Sequence, residues 1–171
     1  MIASSKNNRD ELKILGDAIV ALLGVGVFLG VENKVPMSTG DFVTLTAINK
    51  VRQATNETFY PDRPDPAVNE TDRVDLLFIT LVVQIDCYGI NADSTAQALL
   101  MLMRSDIMCE YGVTPLFCTE PMNVPFVNAE QQQQVRWSLD ANLQFNVSWL
   151  QQQDSALEIK VDNFFNIDHN T

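Results

Sequence analysis

Histidine is almost missing from this chain of 171 residues, whose single copy, His169, lies two residues from the last position. A Ser-His-Asp triad or a Cys-His pair needs a histidine as its base, and a single histidine at the end of the chain is an implausible one. Cysteine is also scarce, since Cys87, Cys109 and Cys118 form no CxxC pair and a zinc site would need a fourth ligand. We therefore expect no metal site, no cofactor and no catalytic centre, and three free thiols in a reducing compartment.

Positive charge is scarce as well. The chain has 11 Lys and Arg against 22 Asp and Glu, so its formal net charge is −11. Such a surface repels phosphates and anionic lipids, which argues against specific nucleic-acid binding and against binding to membranes. Charged residues of both signs make up only 19% of the chain, and this low fraction favours a neutral surface that contacts other proteins.

Long hydrophobic runs are limited to the segment Ile14–Val31. Asp17 lies inside this segment together with four glycines, and a spanning helix needs about 20 strongly apolar residues without such a charge. The flanking residues do not make a clean secretory signal either. The segment therefore predicts a buried helix followed by a short strand.

The apolar residues that are present, 46% of the chain, follow helix and strand periods. They predict a single α+β domain over residues 1–171, with two helices on one face of a mixed, largely antiparallel sheet and residues 1–9 as a loose N-terminus. One helix is predicted from a cap at Asp10 to Leu23, and a second from a capping box at Ser94 to about Glu110. The remaining predictions are a strand or turn at 25–31 and strands at 42–55, 77–87, 113–118, 135–147 and 157–161.

A proline-rich segment, residues 56–73, separates two of these strands. Connections of this length inside a compact domain usually serve function or mobility, so the pattern predicts a β-hairpin with a protruding arm. Four carboxylates lie within or beside the segment, and a metal-dependent hydrolase that uses them is a minor alternative. Their spacing matches no known arrangement of cation ligands, so a solvated acidic loop is the favoured interpretation. These carboxylates are Asp62, Asp65, Asp72 and Asp75.

Three blocks of short motifs follow one another along the chain. The blocks are Val35-Pro36-Met37 with Gly40-Asp41-Phe42-Val43, then Asp86-Cys87-Tyr88-Gly89 with Met103-Arg104-Ser105, and then Thr114-Pro115-Leu116-Phe117 with Glu120-Pro121 and Arg136-Trp137. In order and spacing, over about residues 12–165, they resemble the phage neck terminator or tail terminator family.

This resemblance implies a structural protein of a tailed bacteriophage. It implies small α+β subunits that form a homo-oligomeric ring, usually of six copies, at the head–tail junction of the virion. The expected partners are other copies of the chain, the tail tube protein and the head-side connector or adaptor proteins, with genomic DNA passing through the lumen without specific binding. Assembly would take place in the host cytoplasm. Another head–tail joining or completion protein of the connector is the main alternative.

Contacts between subunits or with the connector are expected at arginines and at the proline-rich segment, because arginine is enriched at interfaces. Each arginine is expected to pair either with a nearby carboxylate or with a neighbouring subunit. The candidate interface residues are Arg52, Tyr60, Asp62, Arg63, Asp65, Arg73, Arg104 and Arg136.

Overall fold

The structure is a computed structural model that describes residues 3–4, 8–30, 40–61, 70–127 and 133–154. The strand predicted at 157–161 lies outside these residues. In chain order the elements are β1 (Ala3–Ser4), α1 (Asn8–Leu23), β2 (Gly26–Leu29), β3 (Phe42–Arg52), β4 (Glu57–Phe59), β5 (Glu70–Tyr88), α2 (Ala92–Met103), α3 (Ile107–Glu110), β6 (Thr114–Cys118), β7 (Met122–Asn123), β8 (Phe126–Val127), β9 (Gln133–Gln134) and β10 (Arg136–Asp154).

The predicted α+β class with a largely antiparallel sheet is confirmed. Within the described residues, eight strands form one sheet whose main path is β1-β10-β5-β3-β2, with β4 added to β5 and with β6 and β7 added to β10. The β2–β3 pair is parallel, while the other pairs of this sheet are antiparallel. The short strands β8 and β9 pair with each other.

The two long strands β5 and β10 form the spine of the sheet. They pair over their full 19 residues, from Arg136 opposite Tyr88 to Asp154 opposite Glu70. Along the inner half of each strand, residues alternate between a buried face and a more exposed face, as the period-two pattern predicts. At about 3.4 Å per residue the spine is roughly 60 Å long.

Both long helices pack on the same face of this sheet. Their apolar residues join the odd-numbered residues of β5 and β10 in one buried cluster, which includes Leu15, Ile19, Leu99, Ile85 and Leu143. Among the described residues no helix covers the opposite face, which we call the helix-free face. The helix α1 ends at Leu23 as predicted, but it begins at Asn8, so Asp10 lies in its first turn.

The second predicted helix, 94–110, is wrong in two respects. Its N-cap position is Asn91, and Ser94 Oγ donates to the Asn91 carbonyl instead of capping the helix. The helix also ends at Met103, and the short α3 follows separately. Ser105 donates to the Leu102 carbonyl from both its backbone N–H and its Oγ, so a serine that competes for backbone hydrogen bonds tightens the chain where the helix was expected to continue.

The predicted hairpin is confirmed, since β3 pairs antiparallel with β5. The proline-rich segment is more ordered at its two ends than expected, because residues 57–59 form β4 against β5 and residues 70–73 already belong to β5. Residues 62–69 lie outside the described part of the chain. We call residues 57–59, 70–76 and 148–154 the arm, because β5 and β10 run there beyond the last residue of β3.

The N-terminal segment also departs from expectation, since Ala3–Ser4 pair with β10 and Asn8 already begins α1.

In the described residues, helices are too short or too polar to cross a bilayer.

Candidate functional site

The turn between β5 and α2 is tied to the start of β3. Gly89 has a φ of +108°, and a Cβ at this position would collide with the Asp41 side chain. Asp41 in turn accepts two hydrogen bonds from Asn91, from its backbone N–H to Oδ1 at 3.1 Å and from its Nδ2 to Oδ2 at 2.7 Å. These two acceptor contacts hold the turn against residues 50 positions earlier in the chain.

The same hydrogen bonds set the charge of this carboxylate. The backbone N–H and then the side chain of Asn91 lower the pKa of Asp41, because they stabilise its ionised form. Asp41 is therefore an anion at neutral pH, at the end of the sheet where β3 begins and β5 ends. We call this the turn end of the sheet.

A charged pair lies beside the turn end on the helix-free face. Arg136 Nε is 3.3 Å from Asp86 Oδ1, across the paired strands β10 and β5. Gln84 Nε2 donates to Asp86 Oδ1 at 3.1 Å and to Ser138 Oγ at 3.2 Å. Because Asp86 and Ser138 are buried, this polar group ties β5 to β10 in one register.

Three aromatic rings lie beside this polar group, on β5, β3 and β2. Phe42 and Tyr88 stack at 4.7 Å between centroids with an interplanar angle of 11°, and Phe28 meets Phe42 edge-on at 5.7 Å. Burial is the largest cause of a raised pKa at Tyr88, with the charge of Asp86 adding to it. The phenol therefore stays neutral, and the rings serve as packing for the turn end.

The arm has polar contacts of its own, on the same face of the sheet that the helices cover elsewhere. Thr58 Oγ1 donates to Asp75 Oδ1 at 2.5 Å, and Arg73 Nε donates to the same oxygen at 3.1 Å. These two donors, Thr58 first, lower the pKa of Asp75. At the base of the arm, Arg52 donates to the Ala54 carbonyl at 2.8 Å and to Asn56 Oδ1 at 3.0 Å.

The candidate interface residues that the structure describes lie at three places in the fold. Arg52, Tyr60 and Arg73 lie in or next to the arm, with Tyr60 exposed by 55%. Arg104 follows α2 and pairs with Glu120 at 2.6 Å, and Arg136 lies at the turn end. Asp62, Arg63 and Asp65 lie outside the described residues. Three arginines thus have carboxylate partners, as expected, while Arg52 holds the loop that follows its own strand.

Sequence reasoning missed the function of Asp41, Gly89 and Asn91. Two of them stand in the motif blocks, but nothing local in the sequence shows that Asp41 binds a turn so far away in the chain. A glycine directly after a strand was the available signal, because it allows a positive φ.

Neither a cluster of metal-ligating side chains nor an ionised buried thiol is found among the described residues. No three His, Cys, Asp or Glu residues described here are placed to hold a metal ion. Burial raises the pKa of Cys87 to about 12 and that of Cys118 to about 11, so both thiols stay protonated, while Cys109 is exposed. Asp62 and Asp65 of the proposed cation cluster lie outside the described residues, and Asp75 is engaged by Thr58 and Arg73.

Comparison with known families gives one match that covers most of the chain. A family model described as phage neck terminator protein matches residues 12–168. The matched range includes α1 from residue 12 onward, the turn end and the arm. No curated protein matches the chain.

Proposed function

The chain belongs to the phage neck terminator family, and on that premise we propose that it is the subunit of a closed ring, of six copies, that caps the tail tube. The ring docks the tube to the head-side connector proteins and leaves a channel for DNA. The subunits assemble in the host cytoplasm before they enter the virion.

Family membership makes the chain a structural neck protein of a bacteriophage, at the junction of head and tail. The match over residues 12–168 is the single observation that carries the proposal. It extends across the helix layer, both long strands and the arm, so the likeness concerns the whole architecture and not one motif.

Ring closure by identical subunits needs two different surfaces on each copy, since head-to-tail contacts join unlike patches. The arm supplies one surface, at the end of β5 and β10 beyond the last residue of β3. It bears exposed Phe59 and Leu150 on the helix-free face, with exposed Tyr60 directly after β4. These exposed apolar and aromatic side chains favour contact of the arm with a neighbouring copy.

The charge of the chain supports a passive channel. Each copy contributes a net charge of −11, so a wall built from several copies repels the phosphates of the DNA. DNA would then move through the lumen without the counterion-releasing contacts that bind it elsewhere.

The test combines the purified protein with phage that lack it. Native mass spectrometry and negative-stain imaging are expected to show a closed ring of six copies. Phage with a nonsense mutation in this gene are expected to produce unjoined heads and tail tubes of uncontrolled length. A purified protein that stays monomeric, or tails of normal length that join heads in the mutant, would overturn the proposal.

A matched pair of tyrosine variants tests the arm as a subunit contact. Tyr60→Ala is expected to lower ring assembly at a given concentration, because Tyr60 is exposed directly after the arm strand β4, while Tyr111→Ala, 41% exposed and distant from the arm in sequence, leaves it unchanged. Equal ring assembly by both variants, measured by light scattering, would remove the arm from the proposal.

A further inference from the structure

Four exposed apolar residues lie at the turn end of the sheet. Ile90 is 97% exposed, Met122 64%, Val135 51% and Val124 36%. Single exposed apolar residues are common on protein surfaces, but a group of them at one place marks an interaction site. We call these four residues the tip patch.

Strand register brings the tip patch together. Tyr88 lies opposite Arg136, so Ile90 and Val135 follow and precede two residues that face each other on neighbouring strands. On the far side of β10, Met122 lies opposite Ser138, and the Val124 N–H donates to the Arg136 carbonyl at 2.8 Å. The patch therefore runs across the ends of β5, β10 and β7.

The turn that carries Ile90 is fixed in place. Gly89 allows no side chain against Asp41, and Asp41 holds Asn91 by two hydrogen bonds. The Thr95 N–H donates to the Asn91 carbonyl at 2.9 Å and starts α2 directly after the turn. A backbone held in one conformation loses little conformational entropy on binding, which favours Ile90 as an anchor residue.

The charges beside the patch are negative. The ionised Asp41 carboxylate lies against the turn that carries Ile90, and Asp93 is exposed at the start of α2. Arg136 is the neighbouring cation, but its guanidinium is paired with Asp86. An apolar centre with an acidic border fits a surface that has an apolar socket and a basic border.

We propose that the tip patch docks a different protein of the head–tail junction, one whose contact site is an apolar socket bordered by Lys or Arg. This inference rests on the proposed function, because it assigns one of the ring's two docking contacts to this end of the subunit. A second tip patch does not fit, since two patches facing each other would oppose Asp41 and Asp93 of both copies, and a different surface of a second copy is one outcome of the test below. Nucleic acid is repelled by the same carboxylates.

The test uses unjoined heads and tails purified from phage with a nonsense mutation in this gene, mixed with purified rings of each variant. Ile90→Asp is expected to lower the yield of joined, infectious particles by about 30-fold or more, as for loss of an interface anchor. Ile90→Val keeps an apolar side chain and is expected to join particles normally. Met101→Asp, at an exposed methionine on α2 away from the patch, is the control and is expected to behave like the unmodified chain.

The charge of the partner is tested by salt. Raising NaCl from about 50 mM to about 300 mM is expected to slow joining by the unmodified ring, and to slow it less for Asp93→Asn. Joining that does not depend on salt would overturn the basic border. Normal joining by Ile90→Asp, or an equal loss with Met101→Asp, would overturn the patch.

Ring assembly separates this inference from the proposed function. Native mass spectrometry is expected to give the same ring for Ile90→Asp and for the unmodified chain. A smaller oligomer for Ile90→Asp would mean that the patch joins copies of the chain. That result would overturn the inference but not the proposed function. Absence of a ring in the unmodified protein would instead overturn the proposed function.

Discussion

At the scale of single residues, the turn end depends on a glycine that lacks space for any side chain. Gly89 combines a positive φ with direct contact to Asp41, whereas Gly24 has a positive φ of +68° and nothing within 4 Å of the point where a Cβ would lie. The two glycines thus separate backbone strain from steric conflict, because both adopt a positive φ but only one is crowded.

Gly89→Ala is expected to destabilise the protein clearly more than Gly24→Ala. A left-handed alanine costs about 1–2 kcal/mol at Gly24, whose φ lies in the αL range. At Gly89 the φ of +108° lies outside that range, and displacement of Asp41 adds about 1–3 kcal/mol through the lost hydrogen bonds. Urea unfolding followed by circular dichroism gives both free energies of unfolding. Equal losses at the two sites would show that Asp41 moves aside without cost.

Asp41 also predicts a pH dependence. Its pKa is lowered in the folded protein by Asn91, so its ionised form contributes stability above the ordinary aspartate pKa of 3.8, and this contribution disappears as pH falls through the lowered folded value. The difference in unfolding free energy between the unmodified chain and Asp41→Asn is expected to shrink from pH 7 to about pH 3.

Asn91→Ala supplies the control for this pH dependence. In that background, the effect of Asp41→Asn is expected to be smaller but not absent, since the Asn91 side-chain donor is gone while the backbone N–H of residue 91, the larger cause of the lowered pKa, remains. The difference between the two backgrounds measures the side-chain hydrogen bond. An unchanged effect of Asp41→Asn without the Asn91 side chain would assign the stabilisation to the backbone donors alone.

At the scale of elements, strand alternation predicted the inner halves of β5 and β10 and the face that they bury. It failed beyond them, because the arm carries polar residues such as Asp72 and Gln151 that interrupt the alternation of apolar and polar residues, so the period-two signal disappears. The end of α2 at Met103 was also missed, since Arg104 and Ser105 do not by themselves stop a helix. Contacts distant in sequence, such as Asp41 with Asn91, leave no local pattern.

A charge pair on the helix-free face joins the paired strands β5 and β10. Removing Arg136 is expected to cost about 3 kcal/mol, because it leaves the buried Asp86 carboxylate without its countercharge, while removing Asp86 is expected to cost less, because the Arg136 side chain is 22% exposed. Asp86→Asn and Arg136→Met are the single variants, and the double variant is expected to recover most of the loss. Thermal unfolding of all four proteins measures the coupling. Additive losses would show that Asp86 and Arg136 act independently.

At the scale of the whole molecule, the arm and the tip patch lie at opposite ends of the same two strands. The spine runs from Glu70 and Asp154 in the arm to Tyr88 and Arg136 at the turn end, roughly 60 Å away. Two contacts so far apart can serve different partners without competing. The proposed ring contact at the arm and the proposed docking contact at the tip patch should therefore respond separately to mutation and to solution conditions.

Salt distinguishes the two contacts by the sign of its effect. Copies that each carry −11 repel one another in a ring, and salt above about 0.1 M shortens the range of this repulsion to below about 10 Å. Ring assembly is therefore expected to strengthen as NaCl rises, while docking through the acidic tip patch weakens. Light scattering at fixed protein concentration measures the first effect, with Tyr60→Ala lowering assembly at every salt concentration by the same factor. Rings that dissociate as salt rises would instead show that opposite charges hold the copies together, with Arg73 of the arm and Arg52 at its base as the cations to substitute first.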